Sequence, residues 1–241
     1  MSPPSTKNRF TDAKILLDKL RGVRPILLPS MLLCDFGNLE REVERLEEAG
    51  VEALHMDVMD GNFVPNMTYG MPIIEAISRL TKMPIDVHLM ICEPAKYAQA
   101  FIDAGADLIT FHIEAQPDPI ELLKTIQSQG VAAGLAINPS TSMDRLISYA
   151  EACDLILVMS VEAGFGGQKF NPIALERLQQ LRRQFGSPLL LEVDGGVNTS
   201  TVNSCQQAGA DLLVVGSAIF RENDYCQAMT HLHRAMQAAE T

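Results

Sequence analysis

Eight short apolar runs rich in β-branched residues recur along this chain, each followed by a longer stretch with helical spacing. That alternation limits the fold more than any other feature. The runs are Ile26–Ser30, Ala53–Val58, Ile85–Met90, Leu108–Ile113, Ala132–Ile137, Leu155–Ser160, Leu189–Val193 and Leu212–Gly216. Between them lie amphipathic segments such as Leu39–Ala49, where Leu39, Val43 and Leu46 share one stripe and glutamates the other. Eight strands alternating with helical segments is the count of a (β/α)₈ TIM barrel. A doubly wound open sheet is the alternative, but it would carry a glycine-rich first turn, and none follows the first run.

Three helical segments end in near-copies of one phrase: Glu48-Ala49-Gly50-Val51-Glu52, Asp103-Ala104-Gly105-Ala106-Asp107 and Gln207-Ala208-Gly209-Ala210-Asp211. The glycine suits a left-handed helix C′ position, and the acid after it begins the turn into the next strand. No Pro/Ser-rich linker divides the 241 residues, so residues 24–241 read as one barrel domain. Residues 1–23 form an N-terminal extension. Within it Thr11 to Arg21 has the spacing of a short amphipathic helix, with Ala13, Leu16, Leu17 and Leu20 turned inward; it either plugs the bottom of the barrel or meets a partner.

The formal net charge of −11 argues against nucleic acid and against an anionic membrane surface as partners. It does not exclude a small phosphorylated molecule, which backbone N–H groups hold whatever the global charge. The five cysteines are dispersed, with no C-x-x-C pair, as expected of reduced thiols. The polar start MSPPSTKNRF lacks a signal-peptide core, and no apolar run approaches the roughly 20 residues of a membrane span. A cytoplasmic protein with no membrane partner is expected.

In such a barrel, function sits at the C-terminal ends of the strands. The second run contains His55, Asp57 and Met59 at i, i+2 and i+4, which point the same way in a strand. The third ends Asp86-Val87-His88-Leu89-Met90, the seventh Glu192-Val193-Asp194-Gly195-Gly196, and the first Pro29-Ser30. One strand-end His or Asp alone is more often a capped loop residue. Four together, His55, Asp57, His88 and Asp194, supply the imidazole nitrogens and carboxylate oxygens of a first-row metal site.

A phosphate side is also visible in Gly164-Phe165-Gly166-Gly167, in Gly195-Gly196 and in Gly216-Ser217, all after adjacent late strands. Met59, Met90 and Met159 recur near the acids. They either fill gaps or form a soft apolar ring that shields the reacting centre. His112 reads equally as core or mouth. His231 and His233 cannot share a helix face, and Lys169 reads as a solvated loop residue, with steering of a phosphate as the alternative.

Read in order, LHMDVMDGNFVPN (Leu54–Asn66), DVHLM (Asp86–Met90), GLAINP (Gly134–Pro139), GFGGQKF (Gly164–Phe170), EVDGG (Glu192–Gly196) and GSAIF (Gly216–Phe220) resemble the ribulose-phosphate 3-epimerases. The resemblance implies a (β/α)₈ barrel that interconverts D-ribulose 5-phosphate and D-xylulose 5-phosphate through a cis-enediolate. It implies one divalent metal ion (zinc, iron, manganese or cobalt) on His55, Asp57, His88 and Asp194, with Asp57 and Asp194 as the acid/base pair. Ser30 and His88 would touch the substrate, and its phosphate would lie by Gly164, Phe165, Gly166, Gly167, Gly195, Gly196, Gly216 and Ser217. A homo-oligomer is expected. An epimerase of a six-carbon ketose phosphate such as D-allulose 6-phosphate, or a non-catalytic phosphate-binding barrel, are the alternatives. A Schiff-base aldolase would need a strand-end lysine, which no run supplies. The chain departs from the family's pattern in its N-terminal extension, in Ala163 where proline is usual, and in Asn62 where histidine is common.

Overall fold

The computed structural model describes residues 12–237; Thr11, at the start of the expected extension helix, and the rest of 1–11 and 238–241 lie outside the described residues. The chain runs α1 (Ala13–Val23), β1 (Ile26–Pro29), α2 (Leu39–Glu48), β2 (Leu54–Met59), α3 (Met71–Leu80), β3 (Ile85–Met90), α4 (Pro94–Ala104) and β4 (Leu108–His112). It continues with α5 (Ile120–Ser128), β5 (Ala132–Ile137), α6 (Asp144–Ile147), β6 (Leu155–Met159), α7 (Ile173–Phe185) and β7 (Leu190–Asp194). Last come α8 (Val202–Gln207), β8 (Leu212–Val215), α9 (Ser217–Phe220) and α10 (Tyr225–Gln237). Every expected strand is present, with its ends moved by no more than one residue.

The strands are parallel and ordered β1-β8-β7-β6-β5-β4-β3-β2. A parallel bridge between Ser30 and His55 joins β1 to β2 and closes the ring. The expected (β/α)₈ barrel is the fold observed. Alternate residues of each strand face opposite ways. The outward set packs under the helices in one large core that includes Val43, Leu46, Ile74, Phe101, Leu178 and Leu232. The inward set forms a second cluster: Ile26 and Leu28 of β1, Leu108 of β4, Ala132 and Ala136 of β5, Leu155 and Leu157 of β6, Leu190 of β7, Leu212 and Val214 of β8. Leu16, Leu17 and Leu20 of α1 belong to this inner cluster, so the helix seals the lower end of the barrel. Asp12 caps α1 by accepting from the Lys14 N–H (2.8 Å), and Arg21 donates to the Pro188 carbonyl (2.7 Å).

The repeated helix-to-strand phrase does two jobs. Gly50, Gly105 and Gly209 are left-handed, with φ of 75°, 106° and 105°. The following acids reach sideways: Asp107 Oδ2 accepts from the Ile85 N–H (2.9 Å) and Asp211 Oδ2 from the Leu191 N–H (3.0 Å). Each therefore satisfies the first residues of the preceding strand as well as turning its own. Among the described residues no helix is long and apolar enough to cross a membrane.

Candidate active site

The inner face changes character toward the top. Above the apolar layers, inward positions are His55 and Asp57 on β2, Asp86 and His88 on β3, Thr110 and His112 on β4, and Glu192 on β7; all are buried. Asp194 follows at the half-buried end of β7. One ligand atom from each of His55, Asp57, His88 and Asp194 lies within 4.8 Å of the other three. Three separate strands thus deliver the four residues singled out in the sequence to one point.

The protonation pattern at that point follows from the partners. His55 Nδ1 donates to Asp86 Oδ2 (2.6 Å), and Nε2 points inward toward Asp57. That Nε2 has no hydrogen-bond partner, although Asp57 Oδ1 lies 3.3 Å away. Burial opposes a charge on His55, but the Asp57 and Asp86 carboxylates outweigh it and push the ring well above the ordinary histidine range. A divalent cation would answer the same negative field and take the place of the Nε2 proton, so these residues fit a metal.

Asp57 and Asp194 are driven apart. Burial raises Asp57, yet the His55 and His88 rings pull it far below the ordinary carboxylate range. Burial, and then the charge of Asp57, push Asp194 up to about 7. Two carboxyl groups so displaced are suited to opposite halves of a proton transfer. Asp57 is also held rigidly: the Ser30 hydroxyl donates to its Oδ2 (2.6 Å), and the Thr68 hydroxyl donates to its carbonyl (2.7 Å).

A pocket opens above the cluster. Asp57, Asp194 and Ser30 form its floor, and Met59, Met90 and Met159 its apolar wall. Gly164, Phe165, Gly166 and Gly167 line one side, and Gly195, Gly196, Gly216 and Ser217 the next. The glycines allow close backbone approach. At Gly196, with φ of 66°, a Cβ would sit 2.5 Å from the Phe170 nitrogen, so only glycine lets the two loops touch. Asn66 donates to the Gly164 carbonyl (2.7 Å) and ties the loop after β2 to the loop after β6. His55 and His88 do not line the pocket; both are fully enclosed behind Asp57. His231 and His233 are exposed on α10, and Lys169 is exposed on its loop.

Four further residues join the site from positions for which the sequence suggested no role, or an undecided one. Asp86 orients His55, and Glu192 lies beside both, its Oε1 3.1 Å from His55 Nδ1 but out of line for a hydrogen bond. Burial and the charge of Asp86 push Glu192 well above its ordinary value, which keeps it neutral in the barrel interior. His112 belongs to the interior: its Nε2 lies 2.9 Å from His88 Nε2 and its Nδ1 3.1 Å from Glu114 Oε2. Asp86 and Glu192 stand two residues before His88 and Asp194, on the same face of their strands, and that spacing was the available signal.

Comparison with known proteins gives the family. The ribulose-phosphate 3 epimerase family matches residues 26–220. A ribulose-phosphate 3-epimerase of Synechocystis is 44% identical over 209 residues, covering 85% of this chain and 91% of its own. The cytoplasmic isoform of ribulose-phosphate 3-epimerase from rice (Oryza sativa subsp. japonica) is 40% identical over 218 residues, covering 89% and 95%. Among solved structures, 3-hexulose-6-phosphate synthase from Salmonella typhimurium superposes with a TM-score of 0.66 at 19% identity, covering 88% of this chain and 98% of that one. That likeness concerns the barrel alone. With its motifs, its eight parallel strands and its similarity to named relatives in accord, this chain belongs to the ribulose-phosphate 3 epimerase family.

Proposed function

We propose that this protein interconverts D-ribulose 5-phosphate and D-xylulose 5-phosphate by moving a proton at C3 between two aspartates. The observation that carries the reading is the pair Asp57 and Asp194, which share one cluster with their pKa values displaced in opposite directions. Inversion needs a proton taken from one face of the carbon and another delivered to the opposite face. A single base returns the proton to the face it came from, so two carboxyl groups, one ionised and one protonated, are required. Asp57, the ionised partner, takes the proton, and Asp194 delivers one. The return reaction exchanges the roles.

His55 through Nε2, His88 through Nδ1, Asp57 and Asp194 are the residues that would hold one divalent metal; zinc, iron, manganese and cobalt all suit this donor set. When bound, the ion supplies Lewis acidity to the oxygens flanking the reacting carbon. Ser30 keeps Oδ2 of Asp57 in place. Met59, Met90 and Met159 exclude water from the enediolate. Gly164 to Gly167, Gly195, Gly196, Gly216 and Ser217 receive the phosphate, whose binding energy positions the carbon from a distance.

Free, dispersed cysteines support a reducing cytoplasmic setting. An open groove lined by Met67, Tyr69, Met71 and Tyr97 supports association of copies of the barrel domain, residues 24–241. The deciding experiment measures turnover of five- and six-carbon ketose phosphates as purified, after chelation, and after metal add-back. Metal-dependent formation of xylulose 5-phosphate is expected. Turnover undiminished by complete chelation, or confined to the six-carbon substrate, would refute the reading.

A further inference from the structure

We propose that Glu114, acting through His112, is a positioning residue that sets the tautomer of His88, so that the Nδ1 lone pair of His88 faces the metal cluster. The inference rests on the metal reading above and concerns two residues that touch neither the pocket nor the four ligand atoms.

The argument is one of hydrogen-bond polarity. The Nε2 atoms of His88 and His112 lie 2.9 Å apart with nearly stacked rings, 26° between planes. A gap that short holds one proton between the two nitrogens. His112 Nδ1 faces Glu114 Oε2 at 3.1 Å. An ionised carboxylate only accepts, so His112 carries its proton on Nδ1. A neutral, fully enclosed ring has one proton, so His112 Nε2 is bare and accepts from His88 Nε2–H. The Nδ1 of His88 is then unprotonated and available to a cation. Asp57 Oδ1 is the competing acceptor for a proton on that Nδ1, and its 3.3 Å contact is longer than either link of the chain that ends on Glu114, which decides the competition for the chain.

Glu114 itself is locked. Its Oε1 accepts from the Thr141 hydroxyl (2.5 Å) and from the Asn138 N–H (2.9 Å). Buried Arg177 clamps this loop through the carbonyls of Asn138 (2.8 Å), Pro139 (2.7 Å) and Thr141 (2.7 Å). Asn138 Nδ2 lies 3.3 Å from His112 Nδ1, and its Oδ1 is committed to the Ala163 N–H (3.0 Å), so the amide cannot turn over. Only a charged acceptor at Glu114 keeps the proton on His112 Nδ1 against that amide.

Glu114→Gln reverses the polarity with no change of shape. Thr141 and Asn138 hold the new amide oxygen at the Oε1 place, which turns its NH₂ toward His112. Two amide donors then face Nδ1, the proton shifts to His112 Nε2, and His88 must carry its proton on Nδ1. Two-bond ¹H–¹⁵N spectra of histidine-labelled, metal-free protein read both tautomers directly, and competition with a chromophoric chelator gives the Zn²⁺ affinity. We expect Nε2–H on His88 and Nδ1–H on His112 in the wild type. In E114Q we expect both reversed, with zinc affinity reduced by about 10–100-fold. A folded E114Q with unchanged tautomers and zinc affinity overturns the proposal, since a merely structural role would lower only its unfolding midpoint. If E114Q does not fold, the wild-type spectrum decides, and Nδ1–H on His88 overturns the proposal alone. A wild type that binds no zinc overturns the metal reading and this inference together.

Discussion

Asp194 is the residue whose surroundings leave it least choice. Burial and the neighbouring Asp57 keep its proton on until about pH 7. Asp194→Asn preserves the shape and removes the proton. Turnover of ribulose 5-phosphate should fall by about 10²–10⁴-fold, the usual contribution of a positioned acid or base, with the circular dichroism spectrum unchanged. Steady-state kinetics on the metal-loaded variant check this. His112 bears on stability instead. Burial, with the adjacent His88 ring adding to it, holds His112 down at about 4, although Glu114 opposes the shift. The unfolded ring takes up its proton near 6.5. Between those values the unfolded ring binds more of its proton than the folded one, so the contribution of His112 to stability falls as pH is lowered from about 6.5 to 4, by up to about 3 kcal/mol, while Asp194, raised to about 7, contributes with the opposite sign. Urea unfolding of chelated wild type and His112→Gln across that window isolates the His112 share: the stability of the variant relative to wild type should rise as pH falls. The sequence left His112 undecided because β4 carries apolar residues on both faces and is buried on both, so alternation does not show which face is the barrel interior. Asp86 and Glu192 gained no role because their meaning lies across the barrel, in contacts from β2 to β3 and β7.

At the level of elements, the repeated phrase that ends α4 and α8 ties each strand to the one before it. Asp211 accepts from the Leu191 N–H while Arg182 (2.5 Å) and Arg24 (3.1 Å) hold its two oxygens. Asp211→Ala strands a backbone N–H and leaves both guanidinium groups without their carboxylate. We expect a loss of about 2–4 kcal/mol in denaturant titrations, with KM for the sugar phosphate unchanged. This part of the architecture was legible because the glycine and the acid are local signals. Gly105 needs the left-handed region whatever surrounds it, and Asp107 must turn the chain. The sideways bonds to β3 and β7 were not legible, since they depend on which strand lies next door.

For the whole molecule, the barrel is an inner stack of side chains with a chemical gradient: apolar below, ionisable above. α1 completes the lower end by adding Leu16, Leu17 and Leu20 to the inner cluster. Leu20→Ala should therefore destabilise the barrel by about 2–5 kcal/mol while leaving kcat of the folded protein intact, because the site lies at the opposite end. Thermal unfolding beside activity at low temperature separates the two.

The ring itself has an unequal circumference. Seven of its junctions are continuous ladders, and the eighth, between β1 and β2, rests among the described residues on the single bridge from Ser30 to His55. The same two residues flank Asp57: the Ser30 hydroxyl donates to its Oδ2, and His55 Nε2 lies 3.3 Å from its Oδ1. The chemistry therefore doubles as the clasp of a bracelet: whatever is bound there also fastens the ends of the sheet. Amide hydrogen exchange should reveal it. Chelation is expected to quicken exchange along β1 and β2 well before β4 and β5, so that the enzyme loosens at the place where it works.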